Sequence, residues 1–163
     1  DISSEDTPEY LSFKTQVKGT NIIEQTLLAT DYLNHFNEIV MLLETVPDMP
    51  EIIEEAKAWA PKSYPDHFRD STFSDKDLAV AAYEHVPERY KKPFEQTISQ
   101  IDRLIEAAVR RLEEVSAMDD IEHLRVTSTD YSRNIQRLMD FASGIIHGSM
   151  MTMDQTEIDA FIG

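Results

Sequence analysis

The chain has 163 residues, and 31 acidic against 15 basic side chains give it a formal net charge of −16. This length is typical of one domain, and a content of 41% apolar residues excludes disorder along the whole chain. The absence of cysteine excludes disulfides, thiolate chemistry and cysteine-based zinc sites. The strong negative charge argues against nucleic acid as the main ligand, because phosphate backbones are bound by clustered Lys and Arg.

The same composition argues against a membrane protein. The longest apolar runs are a few residues, whereas a spanning helix needs about 20. Residues 1–20 lack the basic start and apolar stretch of a signal peptide, although the chain begins with Asp1 rather than Met and can be a processed form. We therefore expect a cytoplasmic protein that has no membrane partner.

The first half of the chain predicts helices separated by proline-containing segments. Residues 1–19 are polar and acidic and predict a frayed N-terminal arm. A long helix is predicted over 21–46, where apolar side chains recur every three or four residues until Pro47. A short helix is predicted over 50–60. Residues 61–73 contain prolines and three aromatic side chains, which favours an ordered crossing loop over a flexible linker.

The second half carries the strongest helical pattern. Ser74 and Asp77 have the spacing of a capping box, which predicts a helix over 75–86. A seam of apolar residues then follows a strict alternation of four and three, typical of a coiled coil. It consists of Phe94, Ile98, Ile101, Ile105, Ala108, Leu112 and Val115.

A last long helix is predicted over 120–147 and ends at Gly148. Because few residues separate it from the seam, the two helices should form an antiparallel hairpin. The sequence therefore predicts an all-α fold, a helical bundle over residues 20–148 built around this long hairpin. Residues 149–163 then form a separate amphipathic tail, too short to be a stable helix alone, which would pack on the bundle or in a partner's groove.

A metal centre is one alternative for the first predicted helix. Asp31, His35 and Glu38 share a helical face, but no histidine follows a glutamate by three positions, as di-iron carboxylate bundles require. His35 also lies beside the apolar stripe. We expect a hydrogen-bonded histidine in the core or at its boundary there, and no metal.

Asp130 and Asn134 are one turn apart on the last predicted helix, flanking its apolar stripe. A carboxylate and a carboxamide at this spacing can present an acceptor and a donor–acceptor to one point in front of the helix. Hydrolysis of an acyl phosphate needs little more from a helper protein, which must align a water in line and anchor itself beside the phosphorylated partner. Such a pair is more often a solvated helix face with one side-chain hydrogen bond.

Two segments resemble a known family. Residues 130–139 resemble the active-site helix of the CheZ chemotaxis phosphatases, in which Asp-x-x-x-Gln is followed by an apolar residue, a basic residue and Met. Residues 154–162 are similar to the C-terminal peptide of CheZ and the N-terminal peptide of FliM, which dock on the response regulator CheY. Residues 81–89 look less specifically like the entry to the CheZ hairpin.

The resemblance implies a CheY-like response regulator as partner. Asp130 would contact the regulator's active-site lysine, and Asn134 would stand where the family has the glutamine that orients the attacking water. The regulator would supply Mg²⁺, so that the chain has no cofactor of its own. A dimer built from two hairpins is also implied. The tethering peptide would consist of Gln155, Ile158, Asp159, Phe161 and Ile162.

Two further readings stay open at this stage. In one, the chain is a non-catalytic adaptor or structural bundle, in which the seam makes a homodimer and the tail closes the core. In the other, it is a metal-binding bundle around His35. The sequence therefore leaves open whether the protein is an enzyme, and what residues 1–73 do.

Overall fold

The computed structural model describes residues 6–149. Within this range the backbone forms seven α-helices and two 3₁₀ segments, Thr30–Phe36 and Pro50–Ile52. The helices are α1 Pro8–Gln16, α2 Asn37–Thr45, α3 Ile53–Ala58, α4 Tyr64–Arg69, α5 Lys76–Tyr83, α6 Glu88–Ser116 and α7 Ile121–Ile146. The predicted all-α class is confirmed, since the described residues contain no strand and α6 and α7 pack closely as the antiparallel hairpin of a helical bundle.

The described residues divide into two compact units. The first consists of 6–35, 62–96 and 141–149, and the second of 36–61 and 97–140. In the first unit, aromatic side chains fill much of the core, and Tyr64 stacks on Tyr83 with ring centroids 4.7 Å apart.

The prediction of a frayed N-terminal arm is wrong for residues 8–16, which form α1. The Tyr10 backbone N–H donates to Thr7 Oγ1 at 3.1 Å and so caps the helix. The Tyr10 ring is buried, and its hydroxyl donates to the Gln25 backbone carbonyl at 2.6 Å. One buried aromatic anchor therefore holds a segment whose average composition is polar.

The predicted helix over 21–46 is also wrong in its first half. Residues 21–29 are irregular, and Leu27 is fully buried with a left-handed φ of 63°. Tertiary hydrogen bonds compete with a helix here. Thr26 Oγ1 donates to the Ile146 carbonyl at 2.5 Å, and the Ala29 N–H donates to Tyr64 Oη at 2.9 Å. Regular α-helix begins only at Asn37, with α2.

The predicted short helix over 50–60 corresponds to the second 3₁₀ segment and α3. The predicted crossing loop over 61–73 instead contains α4, whose N-terminus is capped by Ser63 Oγ. Tyr64 and Phe68 are buried, as the loop's aromatic content indicated. The capping box predicted for α5 does not form, because Asp75 stands at its N-cap and no side-chain capping bond is made there by the described residues.

The apolar seam of α6 is largely confirmed. Six of its seven residues are buried, whereas Ile98 is half-buried and Thr97 takes the interior position beside it. The seam packs inside the chain itself and is not available to a second copy. The interpretation in which the seam forms a homodimer interface is therefore wrong.

The C-terminal end of α7 confirms the predicted stop. Gly148 has a φ of 115°, its N–H donates to the Ile145 carbonyl at 2.9 Å, and the Ser149 N–H donates to the Gly144 carbonyl at 2.9 Å. This pair of bonds is the Schellman motif, which requires a residue that tolerates a left-handed conformation.

Candidate functional site

Asp130 and Asn134 lie one turn apart on α7. A separation of four residues rotates a helical position by only about 40°, so both side chains leave the same flank of the helix. The Asp130 side chain is 60% exposed, and Asn134 is half-buried where this flank meets the core. The two groups are therefore both reachable from outside the protein.

The Asp130 carboxylate has a loose partner on its own helix. Arg133 Nη1 lies 3.8 Å from Asp130 Oδ1, and both side chains are more than half exposed. Surface pairs of this kind contribute little to stability and exchange readily for other cations, because water screens them well. The Asp130 carboxylate can therefore accept a hydrogen bond from the ammonium group of a partner protein.

The opposite flank of α7 carries a second polar cluster, which the sequence did not predict. Ser132 Oγ donates to Glu44 Oε2 of α2 at 2.7 Å, and Gln136 Nε2 donates to Ser132 Oγ at 2.9 Å. These residues line a groove of about 410 Å³ together with Arg133 and Arg137.

The cluster distinguishes the two carboxamides of α7 that lie near Asp130 in sequence, Asn134 and Gln136. Gln136 is directed to Ser132 on the groove flank, where its amide nitrogen is engaged. Asn134, two residues earlier, is the carboxamide that shares the flank of Asp130. The structure thus keeps the predicted pair together and places the nearby glutamine elsewhere.

A signal for the missed cluster was present in the sequence. Ser128 and Ser132 occupy buried positions on α7, four residues apart in an otherwise apolar stripe. Buried hydroxyls need partners, and the Ser128 hydroxyl donates to the Leu43 carbonyl at 2.6 Å. Small polar residues in the stripe thus marked the face that α2 covers, but the sequence could not identify Glu44 as the acceptor.

The site predicted as a metal alternative is organised differently. Asp31 Oδ2 lies 3.0 Å from Nε2 of His67, a residue of α4. His35 is half-buried at the edge of the core, and its ring centroid lies 6.3 Å from that of His67. Within residues 6–149, no three acidic or histidine side chains converge in a way that could hold a metal ion.

The predicted tethering residues, which are Gln155, Ile158, Asp159, Phe161 and Ile162, lie outside the described residues. The proposed role of the tail therefore stays a prediction. Among the helices of residues 6–149, none combines the length and the apolar character needed to cross a bilayer.

Comparison of the chain with family models, with curated proteins and with solved structures gave no match. The fold and the geometry of α7 define the protein as an all-α helical bundle in which an exposed carboxylate and a half-buried carboxamide share one flank of a helix.

Proposed function

We propose that this protein binds a phosphorylated CheY-like receiver domain and hydrolyses its aspartyl phosphate with Asp130 and Asn134. The observation that carries the proposal is the position of the two side chains on one accessible flank of α7, one turn apart. Such a helix can be laid over the active site of another protein, because the reacting groups project from its surface rather than into a cleft of its own.

In the proposed reaction, a water oxygen attacks the phosphorus atom, and the bond between phosphorus and the receiver's aspartyl oxygen breaks. The products are inorganic phosphate and the free aspartate. Asn134 orients the water, and Asp130 anchors the helix by accepting the receiver's lysine ammonium in exchange for Arg133. The receiver's own Mg²⁺ neutralises the charge of the phosphoryl group. Alignment and anchoring are all that α7 has to contribute.

The proposal also covers the role of the tail, the cellular location and the oligomeric state. The tail would hold the receiver through Phe161 and its neighbours, and both proteins would act in the cytoplasm as parts of a chemotaxis system. A dimer, if formed, would use a surface other than the buried seam of α6.

The direct test measures loss of phosphate from a CheY-like receiver phosphorylated with acetyl phosphate, with and without the protein. We expect acceleration by the native chain, and its loss in Asp130→Ala and Asn134→Ala. Asp140→Ala is the matched control, because Asp140 is exposed on the groove flank of the same helix. Equal acceleration by all three variants would remove the site assignment.

A second candidate, a non-catalytic adaptor, is favoured by a different observation. Three apolar side chains at or near the turn of the hairpin are about half exposed, namely Met118 (52%), Ile121 (50%) and Val126 (56%). Exposed apolar side chains occur at protein contact surfaces, and in this alternative a second copy of the chain covers them. Light scattering would detect a dimer that Ile121→Glu abolishes.

A further inference from the structure

A cavity of about 520 Å³ lies between α3 and α6, away from the exposed pair of α7. Its apolar wall is formed by Trp59 and Pro61, which follow α3, and by Ile105 and Val109 of α6. Asp102 of α6 supplies a carboxylate to the same space. Ligand cavities typically combine such an apolar lining with a few polar groups, and their volumes are of this order.

The Asp102 carboxylate is incompletely satisfied. Its Oδ1 atom is buried and makes no hydrogen bond with any residue in the range 6–149. Burial raises the pKa of Asp102 to about 6. A carboxylate with one oxygen buried and unpartnered is costly to keep charged, and a cation held against the same carboxylate would offset that cost.

Two of the three cationic side chains that line the cavity, Lys57 and Arg110, are paired with other acids. Lys57 Nζ lies 2.8 Å from Glu113 Oε2, and this hydrogen bond and charge raise the pKa of Lys57. Arg110 Nη1 lies 4.0 Å from Glu106 Oε1. These pairs line the opening and compensate each other.

We propose that this cavity binds a small organic cation, a protonated amine carried on an apolar or aromatic body. The ammonium would donate to the accessible side of the Asp102 carboxylate, and the body would pack against Trp59 and the aliphatic side chains of α6. The indole adds a favourable surface for a cation, since its π face attracts positive charge. This site is independent of Asp130 and Asn134, so the proposal stands or fails apart from the phosphatase function.

Trp59 provides the readout, because it is the single tryptophan of the chain. Phenethylamine is the probe, and 2-phenylethanol is its neutral analogue of similar size. We expect a saturable change in Trp59 fluorescence with the amine, and at least tenfold weaker binding of the alcohol. No saturable signal up to about 10 mM amine, or equal binding of amine and alcohol, would overturn the proposal.

Binding of the amine should also depend on pH. The charged groups that line the cavity with Asp102 are Lys57 from α3 and Arg103, Glu106, Arg110 and Glu113 from α6. Protonation of Asp102 removes the anion that the amine needs, and a pKa of about 6 places this change in an accessible range. We expect about tenfold weaker binding at about pH 5 than at about pH 7.5, whereas binding of the amine that does not weaken would contradict it.

Substitutions distinguish the contribution of the Asp102 carboxylate to amine binding from that of the apolar cavity wall. Asp102→Asn keeps the side-chain shape and removes the charge, so calorimetry should show at least a tenfold loss of amine affinity with an unchanged helical circular dichroism spectrum. Asp140→Asn is the matched control, because Asp140 is exposed and lies outside the cavity. Trp59→Phe, titrated by calorimetry, should weaken binding of the amine while leaving its preference over the alcohol. Native affinity in Asp102→Asn would overturn the proposal.

Discussion

Arg133 lies 3.8 Å from Asp130 on the solvent-facing flank of α7, in a pair whose side chains are 72% and 60% exposed. The arrangement keeps the carboxylate oriented without burying it. In the proposed complex a lysine of the receiver replaces the arginine. The Asp130 carboxylate is therefore paired with Arg133 only while no receiver is bound.

The first prediction concerns this pair. Arg133→Ala should leave the free energy of unfolding within about 0.5 kcal/mol of the native value, because an exposed pair at this distance contributes little. It should also preserve or raise the rate of receiver dephosphorylation, since Asp130 loses a competitor for the lysine. Thermal unfolding and the phosphate assay check both points. A dephosphorylation rate reduced to that of Asp130→Ala would contradict this prediction and show that the arginine is needed as well as the carboxylate.

The second prediction concerns the length of the amide side chain. Asn134 is one methylene shorter than the glutamine of the CheZ family that its segment resembles. Asn134→Gln should therefore raise the rate of dephosphorylation several-fold by extending the reach of the amide towards the phosphoryl group. Asn134→Asp, of equal length, loses the amide donor and should be inactive. An inactive Asn134→Gln alongside an active native chain would show that the geometry is tuned to asparagine.

The third prediction concerns stability as a function of pH. The pKa of Asp102 is about 6 in the folded chain, against an ordinary value of 3.8. The folded state holds this proton more tightly than the unfolded state. The stabilisation that comes from protonated Asp102 is therefore fully present below about pH 4 and is lost as the pH rises through 6.

Asp102→Asn should consequently stabilise the protein above about pH 7, by about 1 kcal/mol once partial solvent exposure is allowed for. The gain should shrink towards zero near pH 4, where the native carboxyl is protonated as well. Thermal unfolding at the two pH values measures this difference, with Asp140→Asn as control. A gain that is independent of pH would contradict the assignment to the Asp102 charge. A substitution that improves stability while abolishing amine binding is typical of a ligand site.

The fourth prediction concerns the end of α7. A Cβ atom at Gly148 would lie 2.7 Å from Gln25 Oε1, and the Gln25 amide donates to Tyr90 Oη at 2.7 Å. With a φ of 115° as well, Gly148→Ala should cost about 2 kcal/mol of unfolding free energy.

Gly144→Ala is the matched control for this prediction. Gly144 lies within α7, and the nearest atom that a Cβ there would meet outside the helix, among residues 6–149, is Ser149 Cβ at 3.9 Å, an ordinary contact. Alanine has the higher helix propensity, so this variant should be stabilised by about 0.5–1 kcal/mol. Chemical denaturation of both variants gives the comparison. Equal effects of the same sign would show that neither the Schellman turn nor the Gln25 contact matters.

The parts of the fold that sequence predicted well are those whose pattern is local. The heptad spacing of α6 follows from helix geometry alone, and Gly148 marks the end of α7 by its own conformational freedom. The segment 21–29 could not be predicted in this way, because its irregular backbone depends on bonds to Tyr64 and Ile146, which are distant in sequence.

The candidate sites also differ in whether local sequence determines them or the packing of distant elements does. Asp130 and Asn134 were predictable because one helix positions both. Glu44 joins Ser132 only through the packing of α2 on α7, and Asp102 shares a cavity with Trp59 only because the end of α3 lies beside α6. A carboxylate on a helix reads as solvated in sequence until a second element is known to lie over it.

The measurement that tests the central claim most directly is the rate of aspartyl-phosphate hydrolysis in a CheY-like receiver mixed with the native chain or with Asp130→Ala, Asn134→Ala and Asp140→Ala. The account predicts that the native chain and Asp140→Ala accelerate phosphate release, and that the other two leave it at the receiver's own rate. A receiver whose phosphate is lost at the same rate with and without the native chain would contradict it.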